Sequence, residues 1–240
     1  MNVLGLIPAR GGSRSIPGKN LVPVAGRPLL GYTCDAALRS RRLTRTILST
    51  DDEEIARVGK TFGVEVPFLR PADLARDEIP MIEVVRHAVG WLADHERYRA
   101  DLVALLQPTS PLRRAEHIDA AVDLLLETSA DTVVSVIEVP HQFNPVSLMC
   151  LEDGRLVTFL DQPMILRRQD KPRAYARNGP AILVVRQEVL EKGTLYGAVV
   201  RPLEMTLVDS VDIDAPDDVA LAEFYLSRRA TGHWRSRREL

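Results

Sequence analysis

Five consecutive apolar residues, Leu102 to Leu106, followed at once by Gln107-Pro108-Thr109-Ser110-Pro111-Leu112-Arg113, constrain the fold of this chain most. The run has strand length and no polar face, so it reads as a central parallel strand buried on both sides. A comparable apolar run, Val3 to Ile7, opens the chain and ends in another polar loop. Ile47 to Ser49, Val64 to Leu69, Thr132 to Val136 and Ala181 to Val185 read as further strands. Between them apolar residues recur at helical spacing: Leu30, Cys34, Ala37 and Leu38 after Pro28; Ile55, Val58 and Phe62; Ile82, Val85, Val89 and Leu92; Ile118, Ala121, Val122 and Leu125. A closing helix runs through Val219, Leu221, Ala222 and Leu226. Strand–helix alternation without an internal repeat predicts one doubly wound, mostly parallel α/β domain over residues 1–240. That length lies at the upper end for a single domain.

In an open α/β sheet, ligands bind beyond the carboxyl edge of the strands. Ile7 to Asn20 occupies such an edge, and its Gly11, Gly12 and Ser13 let backbone N–H groups approach an anion. Arg10, Arg14 and Lys19 add fixed positive charge, a combination suited to a polyphosphate. Two familiar phosphate loops are excluded. Ser13 and Asn20 stand where the Walker pattern needs Gly and a Ser or Thr, and Ser15 stands where the dinucleotide pattern needs its third glycine. Elsewhere the net charge of -2 gives no broad basic field, which excludes non-specific nucleic-acid binding. The N-terminus carries no secretory signal pattern and no stretch approaches a bilayer span, so a cytoplasmic location is expected. Cys34 and Cys150 lie too far apart for metal-ligand spacing, and a disulfide framework is not expected.

Several other residues carry chemistry. Gln107, an amide at a strand edge, offers both a donor and an acceptor for positioning a hydroxyl nucleophile. If Asp212 and Asp214 lie in a strand, they face the same way and can share one hard cation with phosphate oxygens. Asp51 and Asp52, and again Asp217 and Asp218, precede or open helices, where capping and dipole pairing account for them. His87 and His95 lack partners at metal spacing and read as structural. From about 138 to 169 the pattern changes to a hairpin turning at Glu152 to Gly154, an insertion in the α/β repeat. Arg228 to Leu240, arginine-rich and without apolar periodicity, reads as a frayed tail.

Ile7 to Asn20 resembles the signature of the cytidylyltransferases that activate acylneuraminates and related nonulosonic acids, the CMP-sialic acid synthetase family. Leu106 to Arg113 is similar to a second family motif without a change, and Arg70-Pro71 with Leu74-Ala75-Arg76-Asp77 resembles a third. The resemblance implies a Rossmann-like nucleotide-diphospho-sugar transferase fold that moves CMP from CTP to the anomeric hydroxyl of a nine-carbon acidic sugar and releases pyrophosphate. It implies a nucleotide site of Ala9, Arg10, Gly11, Gly12, Ser13, Lys19, Asn20 and Arg70, with Arg10 and Lys19 stabilising the leaving pyrophosphate. It implies Mg2+ on Asp212 and Asp214, acceptor contacts from Gln107, Arg168 and Asn178, and a homodimer formed through the 138–169 arm. Arg168 suits the sugar carboxylate because a guanidinium pairs with it bidentately. Two positions depart from relatives: Met81, where a Ser or Thr is common, and Ala176, where some sialic-acid-specific members carry Arg. The neighbouring readings are the synthetase for the eight-carbon acid 3-deoxy-octulosonate and a non-catalytic CTP-binding protein. The Asn178-Gly179 pair and the unbroken Gln107 to Arg113 motif favour the nonulosonate branch.

Overall fold

A computed structural model describes residues 1–162, 164–179 and 181–231. In chain order the elements are β1 (Val3–Pro8), β2 (Pro23–Val24), β3 (Arg27–Pro28), α1 (Leu29–Arg39), β4 (Arg45–Ser49), α2 (Glu53–Thr61), α3 (Met81–Glu96), β5 (Leu102–Leu105) and α4 (Ala115–Glu127). The second half contains β6 (Thr132–Glu138), β7 (Met149–Glu152), β8 (Arg155–Thr158), β9 (Tyr175–Arg177), β10 (Leu183–Arg186), α5 (Gln187–Glu191), β11 (Val200–Glu204) and α6 (Pro216–Ala230). The central sheet has the order β11-β6-β10-β5-β1-β4, with β9 also paired to β6. β1, β4, β5, β6 and β11 run one way, whereas β9 and β10 run against them. The mostly parallel, doubly wound reading therefore holds.

Period-two alternation along the strands decides which helix meets which face. Val3, Ile7, Leu48, Leu102, Ala104 and Val133 pack with Leu30, Ile118, Val122 and Leu125 of α1 and α4. Leu4, Leu6, Ile47, Val103, Leu105 and Val134 face the other way, against Val85, Val89 and Leu92 of α3 and Val189 of α5. A third cluster, in which Ile16, Leu29, Leu112 and Ile213 surround Ala222 of α6, ties the first polar loop to the last helix at the sheet's carboxyl edge. No helix of the described residues is long and apolar enough to cross a membrane.

Three sequence readings need correction. Val64 to Leu69 forms no strand: Glu65 makes an isolated bridge to Ile47 of β4, and Leu69 makes another to Thr50, just beyond β4. Pro67 has no N–H to donate, so a regular ladder cannot continue through it. Asp212 and Asp214 lie in the segment between β11 and α6 rather than in a strand. Finally, Arg228–Ala230 continue α6, so the helix extends into the expected tail, while residues 232–240 lie outside those described. Two strands of the central sheet went unread, as did the two-residue β2 and β3. β9 has three residues, and β11 contains Pro202, which a sheet edge tolerates and a sequence pattern discourages. The expected hairpin is present as β7 and β8, turned by Asp153 and Gly154, both at positive φ.

Candidate active site

The first loop is fixed by its own bonds before it offers any to a ligand. Where β1 ends, the Ala9 N–H still donates to the Ser49 carbonyl at 3.0 Å. The buried Asn20 donates its amide to the Arg10 carbonyl at 2.9 Å and so closes the loop upon itself. The Gly11 N–H donates to Asp51 Oδ1 at 3.1 Å, and a β-carbon on Gly11 would lie 2.7 Å from Asp52 Oδ2. Asp52 caps α2, accepting from the Ile55 N–H at 2.9 Å. Asp51 does not cap: it braces Gly11 and lies 3.5 Å from Arg70, which corrects its expected role.

Arg10, Gly12, Ser13, Lys19 and Asn20 line a cleft of about 310 Å³ together with Arg70, Met81, Gln107, Pro108, Thr109, Gly179, Asp212 and Asp214. That size falls within the usual range for small-molecule sites, roughly 300–1,000 Å³. Loops from opposite ends of the chain meet there. Lys19 Nζ donates to the Ile213 carbonyl at 2.8 Å and to Asp214 Oδ1 at 3.0 Å. Two members of the expected nucleotide set do not reach the wall: Ala9 packs in the core, and the Gly11 amide already serves Asp51. Only Gly12 has a glycine amide at the cleft among the loop's first pair.

Arg70 follows the Val64 to Leu69 stretch, which tracks β4 closely enough for the Arg70 N–H to donate to the Thr50 carbonyl at 2.7 Å. Its side chain is buried, with Asp51 as its ion-pair partner, and its Nε has no hydrogen-bond partner among the described residues. A buried guanidinium nitrogen without a partner is uncommon in a folded protein and calls for an explanation. Burial pulls the Arg70 pKa down and Asp51 opposes that shift.

Across the cleft, Ser110 donates to Asp212 Oδ1 at 3.4 Å. Burial, with the charge of Asp214 adding, pushes the Asp212 carboxyl above the ordinary aspartate value, while the hydroxyls of Thr109 and Ser110 and the charge of Lys19 pull it back. Asp218 reaches back to the N–H groups of Asp214 and Ala215 at 2.9 and 2.7 Å, as expected of an acid opening a helix. Asp212 and Asp214 are two hard oxygen donors lining the same cleft as the cationic loop, and such a donor set fits an ion such as Mg2+, which takes one or two carboxylates plus phosphate oxygens. No group of three potential metal ligands occurs among the described residues.

Asn178 has a different place from the one expected. Its side chain is buried and bonded on both sides, accepting from Ser135 Oγ at 2.6 Å and donating to Ser210 Oγ at 2.7 Å. Its amide thus has no group turned to a sugar. Instead it ties the segment between β9 and β10 to Ser135 of β6 and to Ser210, and the next residue, Gly179, packs against Asp212. Arg168 is exposed on the arm in a short 3-10 turn and does not line this cleft. His95 stacks on Trp91, and His87 meets the edge of Phe68.

Asp77 was not singled out by sequence reasoning, although it ends the third motif. It forms ion pairs with both Arg10 and Arg14. An acid that lies more than sixty positions from its partners leaves no local signal. Gly179 and Arg113 were read only as parts of their motifs, because their contacts with Asp212 and with Thr33 and Ala181 are set by packing.

With this geometry in view, comparison with known proteins is informative. A family model described as "Cytidylyltransferase" matches residues 4–196. The chain is 35% identical over 226 residues to the CMP-N,N'-diacetyllegionaminic acid synthase of Legionella pneumophila, covering 93% of this chain and 95% of that one. It is 31% identical to an N-acylneuraminate cytidylyltransferase of Escherichia coli, covering 92% of this chain but 51% of that protein. A pseudaminic acid cytidylyltransferase of Campylobacter jejuni is 29% identical, with 93% and 95% covered. Among solved structures, CMP:2-keto-3-deoxy-manno-octonic acid synthetase complexed with CTP superposes with a TM-score of 0.71 at 15% identity, covering 95% of this chain and 100% of that one. At that identity the likeness shows the fold alone.

Proposed function

This chain belongs to the cytidylyltransferase family, and from that premise we propose that it transfers CMP from CTP to the anomeric hydroxyl of a nonulosonic, sialic-acid-like nine-carbon acid, releasing pyrophosphate. One observation carries the reading: a cationic glycine loop and an acid pair from opposite ends of the chain share one cleft, joined through Lys19 and Asp214. The named relatives, which include legionaminate, acylneuraminate and pseudaminate enzymes, support the substrate class.

Transfer of this kind asks mainly for positioning and for neutralising phosphate charge. Arg10, Lys19 and the Gly12 amide bind the triphosphate and stabilise the departing pyrophosphate, with Ser13, Asn20 and Arg70 fixing the rest of the nucleotide. Asp212 and Asp214 would hold Mg2+, which when bound neutralises phosphate charge. Gln107 bonds to the acceptor hydroxyl and orients its oxygen toward the α-phosphorus.

The 138–169 arm is the proposed dimer contact. Leu151, Leu156 and Leu166 are 74%, 68% and 82% exposed on or beside it, a density of bare apolar side chains that a second copy would cover. In such a dimer Arg168 would face the partner's cleft and hold the acceptor carboxylate, which accounts for its distance from the cleft of its own chain. A cytoplasmic setting, where CTP is available, completes the proposal.

The test is pyrophosphate release with a panel of nonulosonic acids and the eight-carbon acid, against each of the four nucleoside triphosphates with Mg2+. Release with CTP and a nine-carbon acid is expected. Activity with none of the acids, with the eight-carbon acid only, or with GTP in preference to CTP would overturn the reading.

A further inference from the structure

Arg113 ends the Gln107 to Arg113 motif yet does not line the cleft. Its side chain lies behind the cleft wall, only 3% of the residue being exposed. Nη1 donates to the Gln107 carbonyl at 2.8 Å and to the Ala181 carbonyl at 2.7 Å, and Nη2 donates to Thr33 Oγ1. These acceptors come from the exit of β5, the entry to β10 and the middle of α1. One guanidinium therefore joins the three segments that carry the acceptor amide, the Gly179 floor beneath Asp212 and the helix following the phosphate loop.

No described carboxylate forms an ion pair with this cation, and all three of its hydrogen bonds go to neutral oxygens. The adjacent Cys34 thiol, pushed up to about 12 chiefly by burial, is neutral at ordinary pH and supplies no counter-charge. Burial pulls Arg113 itself down to about 9, which still leaves it protonated near neutrality. A buried charge without a partner is costly, and an apolar side chain of similar volume would stabilise the fold at least as well. Its position directly behind a site for a polyanion gives it a counterpart: Asp212 is the carboxylate whose charge acts on it.

We propose that Arg113 is a positioning residue of the transfer reaction: it anchors the Gln107 and Ala181 carbonyls so that the Gln107 amide and Asp212 meet the substrates in fixed register. The inference rests on the proposed cytidylyl transfer. A planar fork matters here because an ammonium cannot reproduce three divergent bonds from one plane. Arg113→Lys thus keeps the charge and loses the geometry.

The experiment compares wild type, Arg113→Lys and Thr33→Val for kcat, acceptor KM and CTP affinity by calorimetry, together with thermal unfolding. For Arg113→Lys a fall in kcat of about 10- to 100-fold with a raised acceptor KM is expected, with CTP affinity held within about twofold, since misplacement by an ångström costs about this much in rate. Thr33→Val removes one anchor from an otherwise intact clamp and should give a smaller loss of the same kind, which decides the matter if Arg113→Lys does not fold. Unchanged kcat and KM in a folded variant would overturn the proposal. So would a parallel loss of CTP affinity and thermal stability with no separate effect on the acceptor, the pattern of a purely structural residue. Failure of the underlying reading looks different, because wild type would then release no pyrophosphate with any acid.

Discussion

Replacing Gly179 by Ala tests the least obvious part of the site. Gly179 has φ of +103°, a region that L side chains rarely adopt, and an added β-carbon would lie 3.0 Å from Asp212 Oδ2 and 3.2 Å from its Cγ. The backbone term alone costs about 1–2 kcal/mol. In a domain of this size that corresponds to a drop in Tm of about 2–8 °C. The steric term acts on function: Asp212 must move by a few tenths of an ångström to restore an ordinary contact. Since a displacement of about 1 Å costs on the order of 100-fold in rate, a shift of this size should cost several-fold to about tenfold. Differential scanning fluorimetry and steady-state pyrophosphate release measure the two effects separately. A variant that loses the expected stability but retains full kcat/KM would show that Asp212 does not act from this position. An unchanged Tm would refute the left-handed turn itself.

Three further outcomes follow from the electrostatics. Asp77 pairs with Arg10 and Arg14; under the proposed role of Arg10 in binding phosphate, Asp77→Asn should tighten CTP binding by about two- to fivefold, the scale of one partly exposed ion pair, and weaker binding in calorimetry would contradict this. Burial chiefly raises the Asp212 pKa, so the stability it contributes below the ordinary aspartate range is lost as pH rises through its folded value, and above that value the buried carboxylate destabilises. Asp212→Asn should therefore raise Tm at pH 7 without nucleotide while cutting turnover by about 100-fold, and a lower Tm would count against the assignment. His117, brought down to about 4 by burial with Arg114 and Arg229 adding and Asp209 opposing, contributes stability above its ordinary pKa that is lost as pH falls toward about 4. His117→Gln should flatten the decline of Tm over that window; an identical slope in both proteins would exclude His117 as its source.

The dimer proposal carries its own outcome. Leu151→Glu with Leu156→Glu should give a monomer by light scattering, and if Arg168 serves the partner's cleft, acceptor use should fall with dissociation while CTP binding persists. Retention of the dimer would place the contact elsewhere on the surface.

Local chemistry made much of this protein legible from its sequence. Continuous apolar runs located β1 and β5, which are buried along their whole length. Helical spacing located α3 and α4, and Asp52 announced the start of α2 because capping needs only the residue and its next turn. The glycines and cations of Ile7 to Asn20 marked an anion loop for the same reason, being close together in the chain. What depended on distant partners was decided by the tertiary structure alone. Only the assembled sheet edge joins Lys19 to Asp214, sets Asp77 on Arg10, and buries the Asn178 side chain against Ser135 and Ser210. Likewise only packing takes Arg113 out of the cleft and places it behind, where its three acceptors converge. Sequence specifies which groups are present and which local bonds they form, whereas the direction a side chain faces across more than sixty residues is fixed by the layers that bury it.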